Sequence, residues 1–290
     1  MVIDCHYHLE ERVLTRAELL GEMDKAGVDR IALMGSMIEP FPEVPKALLG
    51  ILQAILERRV LRGVGRLLVA NFTPKGDVKI LGKPFPIVAE PDNAFIFEAV
   101  RENPGRFLGW VFVNPRGAAD QTAELEKYQD EPGFIGVKAH PFWHRFAPVE
   151  LLPVARKLSN LGKPLLIHCG FGLEGDYGAL LDAVPDLKLI LAHTGFPEYS
   201  DTWKAIMDRK NVHLDVSQTS YVSEKATREA AAFLGADRLL FGTDGPYGFH
   251  DEAGRYDYGY LRRRVTSLFP RKDDREKVLG GNFARLTGLS

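Results

Sequence analysis

Along the chain, short and almost wholly apolar runs alternate with longer stretches whose apolar residues recur at helical spacing. The runs at 2–5, 29–34, 107–113, 134–139, 164–169, 187–192, 212–216 and 238–242 read as eight strands. Helical patterns occupy 15–26, 92–103, 118–129, 148–161, 199–209 and 223–234, with 273–286 as a closing helix. In the first of these, Thr15 is placed to cap the start and Gly27 to end the helix. Strands that are apolar throughout, rather than at every second position, are buried on both faces, as in parallel sheets covered by helices. Strand then helix, repeated about eight times, predicts one α/β domain over residues 1–290, a closed (β/α)8 TIM barrel. An open doubly wound sheet is the alternative.

One region breaks the rhythm. Residues 37–91 are far more than one helix needs. Pro40, Pro42 and Pro45 lead into a helical pattern at 44–60, where Leu48, Leu49, Leu52, Ile55 and Leu56 make a broad apolar stripe. A stretch rich in Gly, Pro and Lys follows. In a barrel this insertion leaves the C-terminal end of the second strand, on the face that carries active sites. So wide a stripe needs a covering surface, which points to a lid or a homodimer contact rather than a solvent-facing decoration.

Composition narrows the partners. Lys and Arg number 37 against 39 Asp and Glu, a net charge of -2, so no positive field recommends nucleic acid. No apolar run is long enough for a bilayer, the first residues lack a leader pattern, and two cysteines cannot make a disulfide framework. The expectation is a cytoplasmic protein acting on a small molecule, with no nucleic acid or membrane partner. Cys5 and Cys169 stand out of phase with His6 and His168, so both are expected to point toward the helices as small buried residues.

The histidines lie where the strands end. His6 and His8 are two apart and share a face; His168 ends the fifth strand, His193 the sixth, and Asp244 follows the eighth. Each alone is ordinary: a lone strand histidine usually sits hydrogen-bonded in a core, and Thr-Asp-Gly is a common turn. Together they place ligand-competent side chains at the ends of four strands, which a barrel brings to one locus. Three imidazoles and a carboxylate suit a zinc ion, whose open position would hold a water with its pKa lowered to near 7.

The chain resembles the amidohydrolase superfamily, and within it the branch that includes aminocarboxymuconate-semialdehyde decarboxylase. The resemblance rests on Ile3-Asp4-Cys5-His6-Tyr7-His8, Gly136-Val137-Lys138-Ala139-His140-Pro141, Pro164-Leu165-Leu166-Ile167-His168-Cys169-Gly170, Leu191-Ala192-His193-Thr194-Gly195, Phe241-Gly242-Thr243-Asp244 and Gly281-Asn282-Phe283-Ala284-Arg285-Leu286. It covers nearly the whole chain outside the insertion. It implies His6, His8, His168 and Asp244 as metal ligands, and His193 as general base or acid, or as ligand to a second ion. Asp244 would also accept a proton, and Asp4 would support the site from behind. A carbamylated Lys138 bridging two ions is one reading; a single ion, with Lys138 free to bind a substrate carboxylate, is the one preferred.

The loop from His140 to Phe146 adds aromatic rings and Arg145, so His140 and Arg145 join Lys138 as substrate-binding candidates for a flat, anionic ligand. Tyr247 and His250 are further candidates. Arg58, Arg59, Arg62 and Arg66 read as a solvated helix face from which one arginine could reach the pocket; Arg262, Arg263 and Arg264 read as surface, and His213 as structural. Three functions follow. The first is a zinc-dependent hydrolase of an amide, lactone or ester-like bond in a small, cyclic or carboxylated substrate. The second is a zinc-dependent non-oxidative decarboxylase of an unsaturated or aromatic acid. The third is a metal-binding interaction module without turnover.

Overall fold

A computed structural model describes residues 1–40, 46–80, 82–247 and 256–289. The strands are β1 (Ile3–Leu9), β2 (Arg30–Gly35), β3 (Val78–Ile80), β4 (Lys83–Phe85), β5 (Phe107–Phe112), β6 (Phe134–Ala139), β7 (Leu165–Ile167), β8 (Leu189–Leu191), β9 (Val212–Asp215) and β10 (Leu239–Leu240). The helices are α1 (Arg16–Ala26), α2 (Lys46–Leu56), α3 (Arg62–Val69), α4 (Asn93–Glu102), α5 (Gln121–Tyr128), α6 (Pro141–His144), α7 (Leu152–Leu161), α8 (Gly178–Ala183), α9 (Ser200–Ala205), α10 (Glu224–Leu234), α11 (Tyr260–Leu268), α12 (Lys272–Glu276) and α13 (Asn282–Thr287).

Eight strands pair in parallel in the order β1-β2-β5-β6-β7-β8-β9-β10. The ends meet through Cys5 N to Phe241 O (3.0 Å), Asp244 N to His6 O (2.7 Å) and His8 N to Gly245 O (2.7 Å), which closes the sheet into the (β/α)8 barrel and excludes the open-sheet alternative. Alternation along the strands divides the core in two. Ala32, Leu108, Leu166, Ile190 and Leu240 fill the lumen, and Phe283 and Leu286 of α13 plug its closed end. Ile31, Leu33, Leu165, Ile167, Leu189, Leu191 and Leu239 pack outward under the helices.

Two strands depart from simple alternation. The β1–β2 register shifts between Asp4 and Tyr7. Ile3 and Cys5 therefore lie in the lumen cluster, while Tyr7 and Leu9 lie in the outer one. This corrects the expectation for Cys5, which faces the lumen; a β-bulge reverses the phase that simple alternation assumes. Cys169 packs outward as expected. The β5–β6 register shifts at Gly109 and Trp110. There Gly136 adopts φ 153°, and a Cβ would stand 2.2 Å from Pro164 O, so only glycine fits. The shift turns Lys138 inward, three residues after the inward-facing Ile135.

The insertion holds α2, α3 and an antiparallel β3–β4 hairpin. The helix predicted over 44–60 spans Lys46–Leu56; Pro42, Val44 and Pro45 lie outside the described residues. Side chains fasten it to the barrel rim. Gln53 donates to Thr219 O, Glu57 accepts from Ser223 N at 3.1 Å, and Arg62 pairs with Glu198 and Asp201 at 2.6 Å each. Arg62 is thus a buried anchor and does not reach the pocket. The surface reading of Arg264 is also corrected. On α11 it follows the buried Leu261 by three positions, lies buried itself, and donates to Val222 O at 2.9 Å, whereas Arg263 stays exposed. The closing helix is realised as α12, a π-helical turn over Lys277–Gly281, and α13. No described helix is long and apolar enough to cross a membrane.

Candidate metal centre and cavity

Above the apolar lumen layer lies a layer of buried polar side chains. β1 contributes His6 and His8, β6 Lys138 and β9 Asp215, while His168, His193 and Asp244 follow β7, β8 and β10. Nε2 of His6 and Nε2 of His8 lie 3.0 and 3.4 Å from the same oxygen, Asp244 Oδ1. Their other nitrogens are committed. His6 Nδ1 donates to Asp215 Oδ2 and His8 Nδ1 to Gly35 O, both at 3.0 Å. In the neutral rings the Nε2 lone pairs then face a carboxylate oxygen. Three such donors aimed at one point repel one another unless a cation stands among them. Lys138 Nζ, 3.3 Å from His6 Nε2, supplies part of that charge.

His168 belongs to a second chain of hydrogen bonds. The Ser217 hydroxyl donates to Asp215 Oδ1, because a carboxylate can only accept. Ser217 Oγ accepts from His193 Nδ1 (2.9 Å), and His193 Nε2 accepts from His168 Nδ1 (3.0 Å). The tautomers are thereby set, and His168 Nε2 is left as a bare lone pair. It is buried and has no hydrogen-bond partner, a rare state that a bound cation relieves. Metal-competent groups among the described residues are His6, His8 and Asp244, and His6, His193 and Asp215; His168 falls in neither. The donor set, two converging imidazoles, a carboxylate and the orphaned His168, fits a divalent ion.

The strain at this rim is local. His193, Thr194, Gln218 and Asp244 hold φ of 55°, 57°, 62° and 56°, a left-handed conformation that costs a non-glycine residue about 1 kcal/mol. Asp244 Oδ2 accepts from Gln218 Nε2 at 2.9 Å. Burial would raise the Asp244 carboxyl, but His6 and His193 outweigh it and hold it well below the usual range. Burial lowers His193 to about 4 and Lys138 to about 8.

The expected residues distribute unevenly. His193 is wholly buried behind His168 and does not border the cavity. Lys138 is likewise sealed beneath the ligand cluster. His140 lines the cavity, stacked between Trp143 and His168 with ring centroids at 4.9 and 4.0 Å. Arg145 is exposed, with its guanidinium 5.8 Å from the Phe72 ring centroid, and does not line the cavity. Tyr247 does line it, donating to Ile38 O at 2.9 Å. His250 lies outside the described residues. Asp4 accepts from His6 N (3.1 Å), Thr243 N (2.9 Å), Thr243 Oγ1 (2.6 Å) and Tyr258 OH (3.2 Å), so it clamps the backbones carrying His6 and Asp244. Sequence reasoning missed Asp215 and Gln218. The signal for Asp215 was a lone acid ending the apolar strand at 212–216, level with the histidines.

The sequence profile of the amidohydrolase family matches residues 84–289. The chain belongs to the amidohydrolase family. Its likeness to a curated gamma-resorcylate decarboxylase of Polaromonas sp. (strain JS666 / ATCC BAA-500) is 23% identity over 253 residues, covering 68% of this chain and 75% of that protein. Among solved structures, a dihydroxybenzoic acid decarboxylase from Polaromonas sp. JS666, with bound manganese and the inhibitor 2-nitroresorcinol, superimposes with a TM-score of 0.60. It is 18% identical, and the match covers 99% of this chain and 97% of that one. The 4-oxalomesaconate hydratase LigJ from Rhodopseudomonas palustris gives a TM-score of 0.61 at 14% identity, covering 100% and 96%. This amidohydrolase therefore shares its barrel with enzymes of more than one reaction.

Proposed function

We propose that this amidohydrolase is a metal-dependent, non-oxidative decarboxylase of an aromatic or unsaturated carboxylic acid. The observation that carries the proposal is the sequence likeness to the gamma-resorcylate decarboxylase, which extends over two-thirds of the chain. The relative matched by sequence is a decarboxylase, which favours the second of the three functions over the hydrolase that the sequence ranked first. His6, His8, His168 and Asp244 would hold one zinc or manganese ion. When bound, the ion supplies positive charge that polarises the acid and stabilises the negative charge developing as the carbon–carbon bond breaks.

The chain's residues supply the rest. The stacked His140 and Trp143 rings give the substrate ring a flat surface at the cavity wall. Lys138 adds a second cation under the ligand cluster. His193 holds the tautomer of His168, a positioning role in place of the general base first expected. Asp244, ionised at rest and bordering the cavity, takes a proton from solvent and hands it to the ring carbon that loses its carboxylate. The electron pair of the broken bond goes to the new C–H bond, and carbon dioxide leaves.

The test is to load the protein with zinc or manganese and offer hydroxybenzoates, lactones and amides. Carbon dioxide release that Asp244→Asn abolishes is the expected result. Hydrolysis products without carbon dioxide would restore the hydrolase, and metal uptake without turnover of any kind would favour the interaction module.

A further inference from the structure

The cavity above the ligand cluster is far larger than a ring acid requires. It measures about 720 Å³, whereas a void of about 150 Å³ accommodates a benzene ring. Its floor is polar, made by His8, His168, Gln218 and Asp244. Its outer wall is different. Leu49 and Leu52 of α2, Val69 of α3 and Val78 of β3 line it, all from the insertion between β2 and α4, with Asn71, Lys79 and Gln53, whose amide is spent on Thr219 O, as the polar members. The four apolar side chains offer no hydrogen bonds, so a polar extension of the substrate lying against them would lose its hydration without compensation. An apolar one gains.

The insertion is also fixed in place. Gln53 and Glu57 grip the segment around Thr219 to Ser223, which carries the cavity residue Tyr221, and Arg62 grips Glu198 and Asp201. The apolar wall is thus fastened across the strand ends at three places.

We propose that the substrate is amphipathic: an acid-bearing ring whose hydrocarbon substituent, several carbons long, lies against α2, α3 and β3. The inference rests on the decarboxylase reading for the head group alone. The substituent's place follows from the wall. Each methylene moved from water to this wall raises affinity by up to about fourfold.

The experiment measures binding, separately from turnover. Zinc- or manganese-loaded protein is titrated by calorimetry with 4-alkyl- and 5-alkylresorcinols from methyl to hexyl, which have no carboxylate to lose. In at least one series the dissociation constant is expected to fall two- to fourfold per methylene. Leu49→Trp and Leu52→Trp, prepared separately and checked for metal content and melting temperature, are expected to flatten the hexyl-to-methyl affinity ratio. A flat ratio in both series for the unaltered protein overturns the proposal, as does a slope that survives in both folded variants. If the slope holds while no matching acid releases carbon dioxide, the decarboxylase reading falls and the apolar subsite stands. If ring acids are decarboxylated and the slope is absent, the reverse is concluded.

Discussion

Replacing Asp215 by Asn is expected to weaken metal binding although it removes no ligand. Asp215 Oδ1 accepts from His193 N and Ser217 N, each at 3.0 Å, and Oδ2 accepts from His6 Nδ1 at 3.0 Å. Asn has the same shape but one donor end. Its oxygen stays with the two backbone amides, because N–H groups cannot accept. Its NH2 then faces His6 Nδ1, which must become the acceptor, and the ring proton moves to Nε2. That is the atom aimed at Asp244, and once protonated it cannot hold a cation. The flipped Asn avoids this only by leaving two buried N–H groups without acceptors, at about 1–3 kcal/mol each. Metal binding must therefore overcome at least one mismatched hydrogen bond, about 1–3 kcal/mol, which agrees with the 10–100-fold that loss of a ligand's orienting partner typically costs. Competition with a calibrated chelator, for zinc and for manganese, measures it. Affinity within twofold of wild type in a folded Asp215→Asn protein would refute the tautomer argument.

Three further outcomes are expected. His168→Ala should abolish retention of the ion through dialysis, since it deletes the orphaned Nε2; one full equivalent remaining bound would remove His168 from the ligand set. Burial lowers His213 from 6.5 to about 4, so the unfolded chain is protonated first and stability, complete above pH 6.5, is lost by about 3 kcal/mol as pH falls to 4. In urea unfolding the advantage of wild type over His213→Gln should shrink across that window, and parallel pH profiles would contradict it. Val64 and Leu67 of α3 are 50% and 78% exposed and do not line the cavity; if a second copy covers them, light scattering shows a dimer that Val64→Glu with Leu67→Glu splits, whereas a monomeric wild type ends the idea.

The barrel was legible because its signal is repetitive. Eight apolar runs, each followed by a turn or helix, leave few alternatives, and the ligand candidates stood at the strand ends where their burial now places them. The short α3, α8 and α11 were not. Gly63 and Gly65 interrupt α3, and three consecutive arginines obscure the stripe of Leu261, Val265 and Leu268 on α11. Gln218 left no trace and Asp215 showed only as a lone acid in an apolar strand, for another reason: their importance lies in which atom they address on Asp244 and His6, and hydrogen-bond direction leaves no periodic trace. The apolar wall was half legible. The stripe on α2 announced a buried partner, but only the fold shows that it borders the cavity, where Leu49 and Leu52 are half-buried and Ile51 stays exposed.

The bulge in β1 explains why one strand misled the phase argument and also why the site can exist. A regular strand would put Ile3, Cys5, Tyr7 and Leu9 on one face and Asp4, His6 and His8 on the other. With the lumen above the plug needing apolar residues and the rim needing imidazoles, neither face serves both. The shift between Asp4 and Tyr7 lets Ile3 and Cys5 complete the lumen cluster and then turns His6 and His8 inward over it. It also leaves Asp4 facing away from the lumen, where it grips Thr243 next to Asp244. A single extra residue thus lets consecutive parts of β1 build the apolar floor, present two imidazoles, and fix the backbone of the carboxylate they share.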